Sequence, residues 1–488
     1  MTPRILAVDA GTTSVKVCLF AADMTLQKKS IQEYRLEISG SRAEAGGGTY
    51  LEAVRQGVRE VCADGASVAA VALTTQGETL TVADPSGEPL RPFLVWLDQR
   101  ADSEAEFLKK QFPDDVFHRE TGLPGLSGAV PLAKALWLKR HEPRLFAPGR
   151  RLLLLEDYLL HFLTGRFVTE KTLQTSTGWF SLRRDGWWPE ALDAAGLSAE
   201  ELPELLDSGA QAGVLTPAAA SALGLPSGIP VFAGAMDQVA ASYAMDRLLP
   251  GAAMETTGTA LVTGAVLHSP DPTDRPGLPH TTVYRHVNAG EYMVLPIGNT
   301  GGMSLTWFRD SFCPGVSYSE LGRMAQNAPP GAEGLLFLPF LDGSVDPDFC
   351  PEARGVFFGA SLSTGRDHFV RAVMEGVAHL LAELLETMAQ WGAPDGPVIS
   401  LGGGARSAEW EQIKADICRR EFITLSCEEA PALGAALLAA RGAGMPVPDT
   451  APLFAGSVRY TPDPAHAEVY KRARRKYKAL YQAVRPLF

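Results

Sequence analysis

The stretch Asp9–Lys16 (Asp-Ala-Gly-Thr-Thr-Ser-Val-Lys) holds residue types that could bind a phosphate group and its metal ion. An acid, Asp9, and a base, Lys16, flank a small turn rich in hydroxyl groups. Gly11 lets a ligand approach the backbone closely, and consecutive N–H groups in such a turn form an anion-binding concavity. A hydrated Mg²⁺ takes one or two carboxylates, which suits an aspartate here. For this stretch alone two interpretations stay open: a phosphate-binding turn or an ordinary hairpin turn.

The same pattern returns at Ala253–Val266, again as a strand, a Thr/Gly turn and a strand. Two such hairpins, each in front of a half of similar size, predict a duplicated α/β domain with a cleft between the copies. Gly402–Ser407 follows a short apolar strand and opens a helix, with a backbone permissive enough to approach a flat base or a ribose. A tight strand-to-helix turn explains the glycines equally well. The chain lacks the GxxxxGK[ST] and GxGxxG patterns, so neither a Walker nor a Rossmann nucleotide site is indicated.

Asp237 is the candidate general base. It falls in the first turn of a helix that follows a buried strand predicted to stop at Gly234. Phosphoryl transfer to a hydroxyl needs a positioned carboxylate that accepts the proton. The alternative is a helix-capping aspartate. Five further residues could hydrogen-bond to or stack on a polyhydroxylated substrate: Gln76, Glu78, Trp96, Asp98 and Arg100. Each could equally be a loop, ion-pair or core residue.

The elements that must position these residues follow from apolar periodicity. Residues 5–20 alternate as a β-hairpin, and 27–37 alternates as a third strand at a sheet edge. Other predicted strands are 67–73, 335–339 and 398–401. Predicted helices are 50–63, 131–141, 157–164, 301–310, 367–391 and 430–443, together with one that opens at Gly186–Trp188 and one that ends at Cys418. Residues 102–205 are predicted to be mainly helical and to cap the first domain. Basic residues at 471–478 predict a docked amphipathic helix with a solvated face.

Composition narrows the class of protein. The chain has 488 residues, 46% hydrophobic and 20% charged, which is globular and predicts two or three domains. Its 44 basic and 56 acidic residues give a net charge of −12, which argues against nonspecific nucleic-acid binding and leaves small molecules as partners. The six cysteines form no CxxC pair and the nine histidines no HxxxH or HExxH pair, so reduced thiols and no zinc site are expected. Neither a signal-peptide core nor a membrane-spanning run is seen, which predicts a cytoplasmic protein without a membrane partner.

With these residues in place, the chain resembles the FGGY carbohydrate kinases over essentially its full length. The matching segments occur in family order: Asp9–Lys16, Gln76 with Val95–Arg100, Lys134–Leu138, Leu163–Gly165, Gly234–Gln238, Thr257–Thr259, Gly302–Trp307, Gly355–Gly359 with His368–Gly376, and Gly402–Ser407. The resemblance implies an α/β fold of two ribonuclease-H-like, actin-like ATPase domains around a central cleft. Residues 1–246 would form the N-terminal, sugar-binding domain with the first phosphate hairpin and the catalytic aspartate. Residues 247–488 would form the C-terminal, nucleotide-binding domain with the second hairpin.

The resemblance also implies a role for each matching residue. Asp237 would be the general base, Asp9 would help to hold Mg²⁺, and Lys16 would lie near the transferred phosphate. Residues expected to bind ATP are Gly11, Thr12, Thr13, Gly258 and Thr259 on the phosphates and Gly302, Thr306, Gly403 and Ser407 around the nucleoside. Residues expected to bind the substrate are Gln76, Gly77, Glu78, Trp96, Asp237 and Gln238.

The substrate segment departs from the patterns of known subfamilies. Gly77 replaces the arginine of the glycerol-kinase Gln-Arg-Glu-Thr stretch, and Gly77-Glu78 does not match the Gln-Met-His of xylulokinases. Ala129 and Ala135 also make the first family signature loose. The missing arginine is expected to leave more room, which favours a longer polyol or a ketopentose over glycerol.

The leading hypothesis is therefore an ATP- and Mg²⁺-dependent kinase that phosphorylates a hydroxyl of a ketopentose (xylulose-like) or a polyol. The alternatives are a glycerol-kinase-like enzyme, an actin-like ATPase acting on a protein partner, and a catalytically silent sugar-sensing regulator. The oligomeric state is left open, with a homodimer as one candidate.

Overall fold

The computed structural model describes residues 4–65, 67–268, 278, 281–425, 429–446 and 451–488. Strands of the first half are β1 (Arg4–Ala10), β2 (Ser14–Phe20), β3 (Leu26–Glu33), β4 (Glu37–Ser39), β5 (Arg42–Ala45), β6 (Val68–Thr75), β7 (Leu80–Ala83), β8 (Phe93–Leu94), β9 (Arg151–Leu154), β10 (Val168–Glu170), β11 (Phe180–Ser181), β12 (Gly186–Trp187), β13 (Glu204–Leu206), β14 (Gln211–Val214) and β15 (Pro230–Met236). Its helices are α1 (Gly47–Val61), α2 (Asp102–Lys109), α3 (Asp114–Thr121), α4 (Pro131–His141), α5 (Leu155–Thr164), α6 (Lys171–Gln174), α7 (Pro189–Ala195), α8 (Pro217–Leu223) and α9 (Asp237–Leu248).

The second half continues this numbering. Its strands are β16 (Ala253–Thr257), β17 (Leu261–Leu267), β18 (Thr282–Arg285), β19 (Tyr292–Leu295), β20 (Ile297–Gly298), β21 (Leu336–Leu338), β22 (Val356–Phe358), β23 (Val398–Leu401), β24 (Phe422–Thr424) and β25 (Val458–Tyr460). Its helices are α10 (Gly302–Phe312), α11 (Tyr318–Asn327), α12 (Arg366–Gln390), α13 (Ala408–Cys418), α14 (Ala430–Gly442) and α15 (Ala467–Val484).

The two large sheets repeat one plan. In the first sheet, ordered β14-β15-β6-β1-β2-β3, the hairpin β1/β2 is antiparallel and β6 and β15 follow in parallel. In the second sheet, the hairpin β16/β17 is followed by the parallel strands β23 and β24. The predicted duplication is confirmed, because each half places a hairpin turn at the same edge of its sheet, beside the carboxyl ends of parallel strands.

Two helices join the halves. α9 packs against β15 and β6 of the first sheet and against β16 and β17 of the second. α14, although it comes late in the chain, packs on α9 and on β1, β6 and β15. Gly434 permits this close approach, since a Cβ there would lie 2.0 Å from the Ala240 carbonyl oxygen. The boundary expected at 246/247 falls in the last turn of α9, and the division of the chain there stays a prediction.

Some local predictions need correction. The strand expected to stop at Gly234 continues to Met236, although the helix does begin at Asp237. The helix expected to open at Gly186–Trp188 begins at Pro189, because Gly186 and Trp187 pair with Ser181 and Phe180 as a short hairpin.

The C-terminal helix α15 is docked as expected. It buries Tyr470, Tyr477 and Tyr481 and leaves most of its basic residues exposed. Cys18, Cys62, Cys313, Cys350 and Cys418 form no disulfide among the described residues, and Cys427 lies outside them. Among the helices that the structure describes, none has both the length and the hydropathy that crossing a bilayer requires.

Candidate active site

Asp9 ends the first strand beside the turn of hairpin β1/β2. Its side chain is only 6% exposed, and burial raises its pKa to about 6 even though Lys16 lowers it. The turn is closed by the Gly11 N–H, which donates to the Ser14 carbonyl at 3.0 Å. The Trp96 indole N–H donates to Thr12 Oγ1 at 2.9 Å, so the turn is tied directly to the predicted substrate segment. Thr13 is exposed at the tip of the turn.

Lys16 points to a partner that the sequence did not indicate. Its Nζ lies 3.0 Å from Glu429 Oε2 and 3.8 Å from Asp9 Oδ2. Glu429 directly precedes α14, so an acid from the second half of the chain holds the base expected near the phosphate. Burial of Glu429 raises the pKa of its carboxyl, but Lys16 and Lys29 together outweigh that effect and leave it below the usual range.

Asp237 is the first residue of α9 and shares its surroundings with two other acids. Its pKa is raised to about 7, chiefly by burial and also by the charges of Asp9 and Glu78, although the N–H of Gln238, 2.6 Å from Oδ1, and the charge of Lys16 lower it. Burial likewise raises the pKa of Glu78 to about 7, with Lys134 opposing. The structure therefore brings Asp9, Glu78 and Asp237 together, although they come from three separate segments.

The predicted substrate residues surround this acid group. Gln76 is buried and donates from Nε2 to the Tyr50 hydroxyl at 3.4 Å, and its Oε1 has no hydrogen-bond partner among the described residues. Glu78 adopts a left-handed backbone, with a φ of 62°. Trp96 is 39% exposed, so it is available to a ligand rather than part of the core.

Gly77 lies against two side chains of the first half. A Cβ at this position would lie 3.1 Å from both Met236 Sδ and Ser176 Oγ. The expectation that the missing arginine leaves room for a longer substrate stays a prediction.

Asp98 and Arg100 form an internal ion pair. Arg100 Nη2 lies 2.7 Å from Asp98 Oδ2 and 2.7 Å from Glu44 Oε1, and Asp98 also accepts the Ala43 N–H at 2.8 Å. Asp98 is fully buried. This pair shapes the segment that carries Trp96.

Two further residues of the cleft, Lys134 and Tyr284, were given no role from the sequence. Lys134 is buried and donates to the carbonyls of Val95, at 2.9 Å, and Glu78, at 3.3 Å, and its burial lowers its pKa to about 8. Its position inside an otherwise apolar stretch of α4 was the available signal. Tyr284 on β18 has a pKa well above its ordinary value because of burial first and then the charges of Glu78 and Asp237. No local pattern marks it, because it enters the cleft from the second half.

A cavity of about 650 Å³ lies on the second half, next to the turn of hairpin β16/β17. The predicted nucleotide residues on its wall are Gly258, Thr259, Gly302, Thr306, Gly403 and Ser407, and the residues that the sequence analysis missed include Met303, Tyr318, Met374, Arg406 and Trp410. Its mixture of apolar, aromatic and small polar groups and its volume suit a nucleoside. The wall of this cavity does not include Gly11, Thr12 or Thr13, which lie on the first sheet.

A buried ion cluster supports the second turn. Lys414 Nζ lies 2.7 Å from both Glu255 Oε1 and Glu411 Oε1, and Thr257 Oγ1 donates to Glu255 Oε2 at 2.7 Å. Lys414, Glu255 and Glu411 are fully buried. The cluster ties β16 to α13, the helix that begins beside Ser407, and so holds opposite walls of the cavity in register.

Comparisons with known proteins agree with this arrangement. Residues 4–244 match the model of the FGGY family of carbohydrate kinases, N-terminal domain, and residues 252–443 match that of the C-terminal domain. The chain is 29% identical to a xylulose kinase of Lactococcus lactis over 90% of this chain and 88% of that protein. It is 27% identical to a gluconokinase of Bacillus subtilis over 96% of this chain and 94% of that protein.

A crystal structure of xylulose kinase from Rhodospirillum rubrum has a TM-score of 0.90 and 27% identity, with 99% of both chains covered. The two family domains together span most of the sequence. The chain belongs to the FGGY family of carbohydrate kinases, enzymes that transfer a phosphoryl group from ATP to a sugar.

Proposed function

We propose that the protein phosphorylates a neutral sugar, a xylulose-like ketopentose or a polyol longer than glycerol, with ATP and Mg²⁺. The observation that carries this proposal is the acidic character of the sugar cleft. The charges of Asp9 and Glu78 both act on Asp237 and help to raise its pKa. The lysines that oppose them are engaged: Lys16 binds Glu429, and Lys134 donates to backbone carbonyls.

Such a cleft disfavours an anionic sugar. Like charges a few ångströms apart in a partly dry site repel by one or more kcal/mol, on the order of tenfold or more in affinity. The similar proteins include both xylulose kinases and gluconokinases. The acidic cleft supports a neutral substrate over gluconate.

Asp237 is assigned as the general base. The attacking hydroxyl gives its proton to this carboxylate while the γ-phosphoryl group transfers in line. A pKa of about 7 is well matched to this task, because the carboxylate is a stronger base than an exposed aspartate and about half of it is ionised at pH 7. N–H groups and hydroxyls of the two turns stabilise the phosphates, and closure of the cleft excludes water.

Asp9 fits Mg²⁺. Its carboxylate is a hard oxygen donor, and burial has raised its pKa without a full compensating ion pair, so a nearby cation is favourable. Mg²⁺ commonly takes one or two carboxylates and completes its shell with waters and phosphate oxygens. When bound, the ion neutralises charge on the phosphates.

A substrate panel tests the proposal. ADP release would be measured over D-xylulose, D-ribulose, pentitols, tetritols, glycerol and gluconate, with ATP saturating. We expect the highest kcat/KM for a ketopentose or a polyol of four or five carbons, and a value at least about tenfold lower for gluconate. A best kcat/KM for gluconate or for glycerol would refute the substrate assignment, and ATP turnover that ignores every sugar would support an ATPase or a sensor instead.

Asp237→Asn tests the base. Removal of a general base lowers kcat by about 10²–10⁴-fold. ATP binding should be retained, because the nucleotide cavity lies on other residues. Near-normal turnover in this variant would exclude Asp237 as the base.

A further inference from the structure

The backbone that leads into Asp237 leaves the regular sheet. β15 carries one extra residue relative to β6, since Phe232 pairs with Ala72 but Ala235 pairs with Thr74. A bulge of this kind re-aims the residues that follow it. Gly234 lies in the bulge, and a Cβ there would lie 1.6 Å from the Leu73 carbonyl oxygen, so no other residue fits.

Three buried side chains hold this irregular backbone. Glu156 Oε1 accepts the Gly234 N–H at 3.2 Å, Thr74 Oγ1 donates to the Ala235 carbonyl at 2.7 Å, and Thr172 Oγ1 accepts the Met236 N–H at 3.0 Å. All three side chains are fully buried. The path of the chain into Asp237 is therefore set by side chains from α5, β6 and α6 as well as by the strand ladder.

The Thr172 hydroxyl has a single orientation. A threonine hydroxyl offers one hydrogen, and here it donates to Glu170 Oε1 at 2.7 Å, which leaves its lone pairs for the Met236 N–H. Glu170 also accepts the Thr172 N–H at 2.7 Å, the Ser208 hydroxyl at 2.9 Å and the Leu173 N–H. These hydrogen bonds fix the orientation of the Glu170 carboxylate, which in turn fixes the orientation of the Thr172 hydroxyl.

We propose that Thr172, held by Glu170, is a positioning residue that fixes the peptide before Asp237 and thereby places the catalytic carboxylate. The proposal rests on the assignment of Asp237 as the base. Loss of the hydroxyl leaves a buried N–H unpaired and lets this peptide rotate. A displacement of about 1 Å at a reacting group reduces turnover by about 10²-fold, whereas substrate and ATP still bind to their own residues.

Thr172→Val tests this, because valine keeps the shape and removes the hydroxyl. We expect kcat to fall by about 10–100-fold while the KM values for ATP and sugar change by less than about twofold. Thr172→Ser keeps the hydroxyl and should restore most of kcat. The matched control is Thr81→Val on β7, where a fully buried threonine donates to the Arg91 carbonyl at 2.9 Å away from Asp237; its kcat should stay unchanged.

A Thr172→Val enzyme with normal kcat, destabilised only as much as Thr81→Val, would overturn the proposal. If Thr172→Val does not fold, Glu170→Gln is tested instead. The single amide oxygen of glutamine cannot accept all the hydrogen bonds that the Glu170 carboxylate accepts, so kcat should again fall with both KM values kept. A normal kcat in Glu170→Gln would overturn the proposal.

In an Asp237→Asn background, Thr172→Val should lower the residual rate no further, since both changes act through the Asp237 carboxylate. Near-normal turnover of Asp237→Asn alone would refute the base itself, and an inactive Asp237→Asn beside a normal Thr172→Val would refute only the positioning role.

Discussion

Burial raises the pKa of all three carboxyl groups in the cleft, yet each is suited to a different task. Asp237, at about 7, begins α9 and is placed to take a proton, whereas Asp9, at about 6, lies beside the phosphate turn. Glu78, at about 7, faces Lys134 and lies among the substrate residues. Because the charges of Asp9 and Glu78 act on Asp237, a change at either residue alters the proton affinity of Asp237.

The base assignment has a pH signature. Asp237 works only when ionised, so kcat/KM for the sugar should fall as the pH drops below about 7, by about tenfold per pH unit. A bound cation at Asp9 would move this limb to lower pH, because it removes a negative charge. Initial rates at saturating Mg²⁺–ATP from pH 4.5 to 9 measure the limb, and a profile that stays flat from pH 4.5 to 7 would contradict the assignment.

Glu78 should control discrimination against anionic sugars. Glu78→Gln removes a charge and preserves the shape, so kcat/KM for gluconate should rise relative to that for the neutral sugar, by about tenfold. Glu88→Gln, at an exposed turn residue, is the control and should leave the ratio unchanged. An unchanged ratio in Glu78→Gln would show that another group sets the discrimination.

At the scale of elements, each hairpin turn depends on the element packed against it. The second turn touches the first residues of α10, where a Cβ on Gly302 would lie 2.8 Å from the Gly258 carbonyl oxygen. The first turn is held by the Trp96 segment instead. A turn proposed to bind phosphate is thus supported by a helix start in one half and by the predicted substrate segment in the other.

Gly302→Ala should separate α10 from the second turn. The added methyl group would meet only backbone atoms of Thr257 and Gly258, which cannot turn aside as a side chain can. The cavity is therefore expected to open and KM for ATP to rise by about tenfold or more, with KM for the sugar little changed. Gly48→Ala is the matched control, because this helix-start glycine of α1 has nothing within 4 Å of its Cβ position. Equal effects on both KM values would indicate general destabilisation rather than a local change.

Glu156, which accepts a hydrogen bond from the backbone of β15 at Gly234, should make the stability of the protein depend on pH. Burial and the neighbouring Glu170 and Asp157 hold the pKa of Glu156 well above its usual value. The folded protein therefore keeps this proton at a pH where the unfolded chain has lost it. As the pH rises from the unfolded-state pKa to the folded-state pKa of Glu156, the free energy of unfolding falls, and this loss is the penalty for burying the group. Glu156→Gln removes that penalty, so its melting temperature should exceed that of the wild type by a few degrees at pH 8 and by less at pH 5. Calorimetry at both pH values checks this, and the opposite pH trend would contradict it.

At the scale of the molecule, the active site depends on contacts between the halves. α9 touches both sheets and begins with Asp237, and α14 returns from the second half to the first sheet. Glu429, at the start of α14, binds Lys16 and Lys29 across this junction. The charge on Lys16 is thereby shared between a protein acid and the site where ATP phosphates are proposed to bind.

Glu429→Gln should free Lys16 for the phosphates. We expect KM for ATP to fall several-fold, with a smaller difference at high salt because the competition is electrostatic. The control is Asp64→Asn, which breaks the exposed pair with Lys28 at 2.8 Å and should not change KM for ATP. A higher KM for ATP in Glu429→Gln would show that the pair organises the site rather than competing for Lys16.

The sequence by itself determined the hairpins, most of the helices and the duplicated plan, because apolar alternation and turn residues are local properties of the chain. It also placed Asp237 at a helix start and predicted the glycines and hydroxyls that line the cavity proposed for the nucleotide. Only the tertiary structure decided that Lys16 binds Glu429, that Tyr284 enters the cleft from the other half, and that Thr172 holds the peptide before Asp237. Each of these contacts joins residues far apart in the chain, and such contacts follow from the packing of the sheets and helices, which leaves no local pattern to read.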